Sequence, residues 1–169
     1  MINFANKMLL DFEKDSDRRI SGICIAITGL ILIVMMLNVI HVFNISPAMY
    51  PTLIVVSIIL MTPTFFFEIL NMHSKKIRYM VLTLLVIMSG IMYSILSYHV
   101  IIMLVFPVVV SCLYCERIHV IYTTALSVPV MIISHLIAYS LKIVPDEPLV
   151  TLRGVFIYGI VPRVIELIA

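Results

Sequence analysis

The chain has 169 residues, of which 63% are hydrophobic and only 12% are charged, and its mean hydropathy is +1.20. Soluble domains carry about 25% charged residues, so this composition excludes a soluble globular domain as well as a disordered chain. The net charge of +2 is too small to indicate nucleic-acid binding. The sequence therefore predicts an all-α integral membrane protein.

The first 19 residues mix positive and negative charges and precede the first long apolar run. A secretory signal would instead have a short basic start and an apolar run of about 7–15 residues. We therefore expect a solvated cytoplasmic segment at 1–19, followed by a membrane domain at 20–169. The uncharged run at 20–43 is long enough to cross about 30 Å of hydrocarbon and is the first predicted span.

Five further crossings complete a predicted bundle of six transmembrane helices. They are expected at about 49–70, 77–97, 99–115, 118–141 and 152–169. A tight turn at Ser97–His99 would separate the third from the fourth, and a short loop containing Glu116, Arg117 and His119 would separate the fourth from the fifth. The connection at 142–151 contains two prolines, which disfavour helix.

The distribution of lysine and arginine predicts the orientation. Eight of these residues fall on one side of the six-span arrangement (Lys7, Lys14, Arg18, Arg19, Lys75, Lys76, Arg78 and Arg117), whereas the other side has only Lys142 and Arg153. The basic side is expected to be cytoplasmic, which places both termini in the cytoplasm. Because the sixth apolar run has not reached polar residues at Ala169, we expect the natural chain to continue into a cytoplasmic output domain.

Charged residues within the sixth predicted span are the first candidates for function. Arg163 and Glu166 are three positions apart, a spacing that allows pairing on a helix, and Arg163 falls near mid-membrane. One interpretation is a structural ion pair, with Glu68 of the second span as another partner. A second is a coupling element whose hydrogen bonds differ between two states. In a third, these side chains extend towards the membrane surface.

Four of the predicted spans contain one internal proline each, and these are candidate hinges. They are Pro63, Pro107, Pro129 and Pro162. A proline removes one hydrogen bond of the helix and allows bending there. Pro162 immediately precedes Arg163, which favours a hinge beside the candidate coupling residue.

A weak metal candidate is formed by Cys112, Cys115 and His119. Their spacing would place two thiols and an imidazole on one face of a helix, as a soft metal ion requires. No fourth ligand is evident, so packing is the preferred interpretation. We predict no cofactor. The sequence has no H-E-x-x-H, G-x-S-x-G or P-loop motif, so no enzyme activity is expected for this segment.

Two stretches resemble a known group of proteins. One runs from Phe106 to Thr123 and contains Pro107, Ser111, Tyr114 and Arg117; the other is Val161-Pro-Arg-Val-Ile-Glu-Leu167. Both are similar to segments in the N-terminal six-helix membrane sensor modules of bacterial signalling proteins. The resemblance implies an input module joined to a cytoplasmic histidine kinase, diguanylate cyclase, nucleotide cyclase or phosphatase domain.

The expected function is a membrane-embedded sensory or dimerisation module that passes a signal through its last helix to a cytoplasmic effector. The alternative is a small six-helix transport protein or substrate-capture subunit. The chain has only five glycines, which argues against a transporter, because closely packed transporter helices are usually rich in small residues. The expected location is the plasma membrane. The expected partners are the lipid bilayer, an unknown small molecule and, for a dimerising module, a second copy.

Overall fold

The computed structural model describes residues 2–41, 49–95, 102–140 and 151–168. All regular structure in these ranges is helical, which confirms the all-α prediction. The α-helices are α1 (Ile2–Val39), α2 (Tyr50–Thr64), α3 (Lys75–Ile95), α4 (Ile102–Cys112), α5 (Arg117–Ser140), α6 (Leu152–Gly154) and α7 (Val161–Ile168). Two π-helical turns, π1 (Phe65–Ile69) and π2 (Val155–Ile160), continue α2 and α6 without a break.

Four helical stretches are long and apolar enough to cross a membrane: Met8–Val39, Tyr50–Ile69, Lys75–Ser94 and Arg117–Ser140. They correspond to the first, second, third and fifth predicted spans, and they identify an all-helical membrane protein. The fourth predicted span contains α4, which has 11 residues, and the sixth contains the continuous helical segment 152–168. The predicted turn at 97–99 and most of the connection at 142–151 lie outside the described residues.

The chain divides into two compact units, Met1–Val81 and Leu82–Ala169. In the first unit α1 packs against α2 and π1. Pro51 occupies the first turn of α2, where its missing N–H costs no hydrogen bond. The Asn38 side chain near the end of α1 donates a hydrogen bond to the Tyr50 hydroxyl at the start of α2. This contact joins the ends of the two helices.

The first helix differs from the sequence prediction. The charged lead-in and the first apolar run form one uninterrupted helix of 38 residues. The cytoplasmic location of 1–19 stays a prediction. Asp17, expected in solvent, is fully buried, as are Ser16 and Ile20. The physical reason is a partner that the sequence does not reveal, since Arg78 binds the Asp17 carboxylate.

In the second unit α4 packs against α5, and α5 also contacts π2 and α7. Tyr93, Met131, Val155 and Ile160 form a buried core, and Val164 and Leu167 of α7 pack on it. The Thr151 hydroxyl accepts a hydrogen bond from the Gly154 N–H at 3.1 Å, which caps the start of α6. This unit therefore holds the last helical segment (152–168) against α5.

Candidate functional site

Polar side chains line the buried face of α5. His119, Thr123, Ser127, Met131 and His135 follow each other at four-residue intervals, and all five are buried. The hydroxyls of Thr123 and Ser127 donate to the carbonyls four residues earlier, at 2.7 and 2.8 Å. Such back-bonding satisfies a hydroxyl within its own helix. His119 and His135 are therefore the residues of this row best able to form hydrogen bonds with another helix.

His135 is the central residue of the candidate site. Its Nδ1 lies 2.9 Å from the Met131 carbonyl oxygen, which can only accept, so Nδ1 carries a proton. In the neutral ring Nε2 then accepts, and it lies 3.2 Å from the Tyr93 hydroxyl of α3. The two rings are also in contact, with centroids 4.9 Å apart. This bond links α3 and α5 inside the second unit.

The candidate residue Arg163 lies on α7, which packs against α5, the helix that carries His135. Its side chain is half-buried. Val164 beside it packs on the core that contains Tyr93 and Met131. We call Tyr93, His135 and Arg163 the His135 site. In this site a hydroxyl and an imidazole form a hydrogen bond between α3 and α5, and a guanidinium lies on the adjoining helix α7.

Close packing beside this site depends on Gly90 of α3. A Cβ at this position would overlap Val130 Cγ1 and would lie 2.9 Å from Ser134 Oγ, so a side chain here would force these two side chains or the helices to shift. A shallow groove of about 220 Å³ runs beside the contact and is lined by Ser94, Ser134 and mostly aliphatic side chains. Gly90 thus fixes the helix spacing that the Tyr93–His135 hydrogen bond needs.

Glu166 and Glu68 are the two predicted acidic partners of Arg163. The Glu166 side chain lies outside the described part of the structure, although its backbone belongs to α7. Glu68 is exposed on π1 in the first unit. Pairing of Arg163 with either carboxylate stays a prediction.

Two of the four candidate hinge prolines lie beside π-helical turns. Pro63 precedes π1 by two residues, and Pro162 follows π2 by two residues. In π1 the Leu70 N–H reaches back five residues to the Phe65 carbonyl, which is the wider hydrogen-bond ring of a π-turn. Pro107 and Pro129 instead lie within uninterrupted α4 and α5. Irregular helix therefore accompanies only Pro63 and Pro162, and bending at any of the four stays a prediction.

The expectation that Cys112, Cys115 and His119 share one helix face is wrong. Helix α4 ends at Cys112, Cys115 has a left-handed backbone with φ of 52°, and His119 lies in the first turn of α5 rather than in a loop. Both thiols are exposed, whereas His119 is buried against Tyr114. Among the described residues, no three histidine, cysteine or acidic side chains converge as a metal site would require.

The sequence analysis missed a charged cluster in the first unit, which we call the Asp17 cluster (Glu13, Asp17, His73 and Arg78). Arg78 donates from Nε and Nη2 to the two carboxylate oxygens of Asp17, at 3.0 and 3.1 Å, and its Nη1 lies 2.8 Å from Glu13 Oε2. His73 Nδ1 lies 2.9 Å from Asp17 Oδ2. The arginine and aspartate are almost completely buried. The only sequence signal was that Glu13 and Asp17 are one helical turn apart.

Comparison of the chain with protein-family models, with curated proteins and with solved structures finds no match.

Proposed function

We propose that this chain is a membrane-embedded sensory or dimerisation module that passes a change in helix packing through its last helical segment to a cytoplasmic effector. The observation that carries the proposal is the packing of the last helical segment on the core that contains Tyr93 and Met131, next to the Tyr93–His135 hydrogen bond. Val155 and Ile160 belong to this core, and Val164, the neighbour of Arg163 in the chain, packs on it. Movement of α3 or α5 would therefore change the preferred position of α7.

The irregular segment before Arg163 supports this role. The π2 turn and Pro162 directly precede it, and both weaken the regular hydrogen-bond ladder of a helix. After Pro162, Val164 and Leu167 hold α7 against the core by apolar contacts. Such contacts are non-directional and therefore tolerate small displacements. A ligand or a change in the bilayer would act by preferring one of two packings.

The proposed topology has six crossings with both termini in the cytoplasm. The four long apolar helices supply four crossings, and we propose α4 and the segment 152–168 as parts of the other two. The excess of lysine and arginine on one side supports the orientation. Reporter fusions placed after Ala169 and in the 142–151 connection test it, because the proposal requires opposite compartments for the two.

The functional test joins a diguanylate cyclase reporter after Ala169 and compares Arg163→Gln with the matched control Arg153→Gln, an exposed arginine at the start of the same segment. We expect Arg163→Gln to change cyclase output several-fold at equal membrane insertion, and Arg153→Gln to leave it unchanged. Equal output from both variants would contradict transmission through Arg163. Substrate uptake, the activity of the alternative transporter, would then be the assay to run.

A further inference from the structure

The Asp17 cluster holds a histidine whose ring nitrogens both face oxygen atoms. His73 Nδ1 lies 2.9 Å from Asp17 Oδ2, and Nε2 lies 3.0 Å from Asn71 Oδ1. Oxygen atoms of a carboxylate and of an amide carbonyl accept hydrogen bonds and cannot donate them. A ring that donates on both sides carries two protons and is an imidazolium. The neutral ring keeps only one of these bonds unless the Asn71 amide turns over.

The charges around His73 balance only when the ring is protonated. Arg78 and the imidazolium then face the carboxylates of Glu13 and Asp17, with two charges of each sign. Loss of the proton leaves one excess negative charge next to a fully buried carboxylate, which is unfavourable at low dielectric. Two neutral groups also contact the ring, since Phe67 stacks parallel to it and Asn71 flanks it.

The other charged side chains that the structure describes on these elements are exposed, except for the half-buried Lys14. The exposed ones are Asp11, Asp15, Arg18 and Arg19 of α1, Glu68 of π1, and Lys75 and Lys76 of α3. Solvent screens exposed charges strongly. The balance inside the cluster therefore depends mainly on the protonation of His73.

The cluster connects parts of the first unit that are distant in sequence. Glu13 and Asp17 lie on α1, Arg78 lies in the first turn of α3, and His73 lies in the connection between π1 and α3. Asn71 has a left-handed backbone with φ of 50°, which turns the chain so that His73 faces α1. His73 is only 11% exposed, so its hydrogen bonds compete with little water.

We propose that His73 is a proton-dependent latch that fastens the start of α1 to the connection before α3 at mildly acidic pH and loosens it as pH rises. Histidine is the side chain whose ordinary titration range spans physiological pH. The sign follows from the partners, because the protonated ring is the form that two acceptors bind. This inference is independent of the proposed signalling function.

The charge of the latch is tested by imidazole ¹⁵N NMR of the full chain in lipid nanodiscs. We expect the His73 ring to show two protonated nitrogens at pH 5.5 and to lose one proton before pH 8. A ring that keeps one charge state across this range would overturn the proposal. The measurement is made on the native chain, and a His73 variant is needed only to assign the His73 signal. His41→Asn, which removes an exposed histidine, is the control and should leave the His73 signal unchanged.

The mechanical effect is tested by amide hydrogen exchange over residues 8–21, corrected for the intrinsic pH dependence of exchange. We expect exchange in the native chain and in His41→Asn to become about fivefold faster between pH 5.5 and 8. This factor corresponds to the difference in free energy between a charged and a neutral hydrogen bond. His73→Gln should show fast exchange and His73→Arg slow exchange, each without this change. An unchanged pH profile in His73→Gln, or equal protection at both pH values in the native chain, would overturn the latch.

Discussion

Arg78 binds both carboxylate oxygens of Asp17, a residue 61 positions earlier in the chain. Paired hydrogen bonds between a guanidinium and a carboxylate are among the strongest polar contacts in proteins and fix orientation as well as distance. Both side chains are almost completely buried, so neither has water as an alternative partner. The pair therefore fixes the position of α1 relative to the start of α3 within the first unit.

Removal of the Asp17 charge should strongly destabilise the first unit. We expect Asp17→Asn to cost about 3 kcal/mol or more, because it leaves Arg78 buried without its main counter-charge. Asp15→Asn, at an exposed carboxylate of the same helix, is the matched control and should change stability little. Thermal unfolding followed by circular dichroism in detergent measures both. Equal melting temperatures for the two variants would show that the ion pair contributes little.

A methyl group at Gly90 should disturb the α3–α5 contact. We expect Gly90→Ala to destabilise the second unit by about 1–3 kcal/mol through overpacking against Val130 and Ser134. Gly29→Ala is the control, because a Cβ there would have nothing within 4 Å, and it should be neutral or stabilising. The double variant Gly90→Ala with Val130→Ala should recover part of the loss. Failure of this rescue would indicate that the clash is not with Val130.

The Tyr93–His135 hydrogen bond should contribute to the stability of the second unit. Tyr93→Phe keeps the ring but removes the hydroxyl, and we expect a loss of about 1–2 kcal/mol because the buried imidazole loses a partner. Tyr158→Phe, at an exposed tyrosine of π2, should have little effect. Chemical unfolding in mixed micelles provides the comparison. If both variants unfold alike, the Tyr93 hydroxyl contributes little to the stability of this unit.

The three cysteines should react differently with a thiol reagent. Cys112 and Cys115 are exposed beside Glu116 and Arg117, whereas Cys24 is buried. We expect a membrane-impermeant maleimide to modify the first two in inside-out vesicles and to leave Cys24 unmodified until the protein is denatured. Labelling of Cys112 and Cys115 in intact cells would contradict the proposed orientation.

Replacement of the same two exposed cysteines tests the packing interpretation directly. Cys112→Ser combined with Cys115→Ser should leave the melting temperature unchanged, with and without added Zn²⁺, because the described side chains do not form a metal site there. A Zn²⁺-dependent rise in melting temperature of the native chain that disappears in the double variant would restore the metal hypothesis.

The bounds of the long helices could be predicted from the sequence because the length of an apolar run is a local property. The second span was predicted at 49–70, and α2 with π1 occupies Tyr50–Ile69; the fifth was predicted at 118–141, and α5 occupies Arg117–Ser140. Long uncharged runs bounded by polar residues set these limits without reference to the rest of the fold.

The polar sites were harder to predict because their partners are distant in sequence. Asp17 has charged neighbours on both sides, and nothing local distinguishes it from the exposed Asp15. Arg78 was counted only among the basic residues of the predicted cytoplasmic side, and nothing local marks it as a partner of Asp17. Arg163 was recognised from its position in an apolar run, but the packing of its helix α7 on α5 depends on contacts that are distant in sequence.

The length of α1 has a mechanical consequence. A helix of 38 residues extends about 57 Å, whereas the hydrocarbon core is about 30 Å thick, so a substantial part of α1 projects beyond it. No proline interrupts the helix, so the charged segment and the apolar segment belong to one continuous element. A displacement of the membrane-embedded part would therefore be carried along the helix to the charged residues near its start.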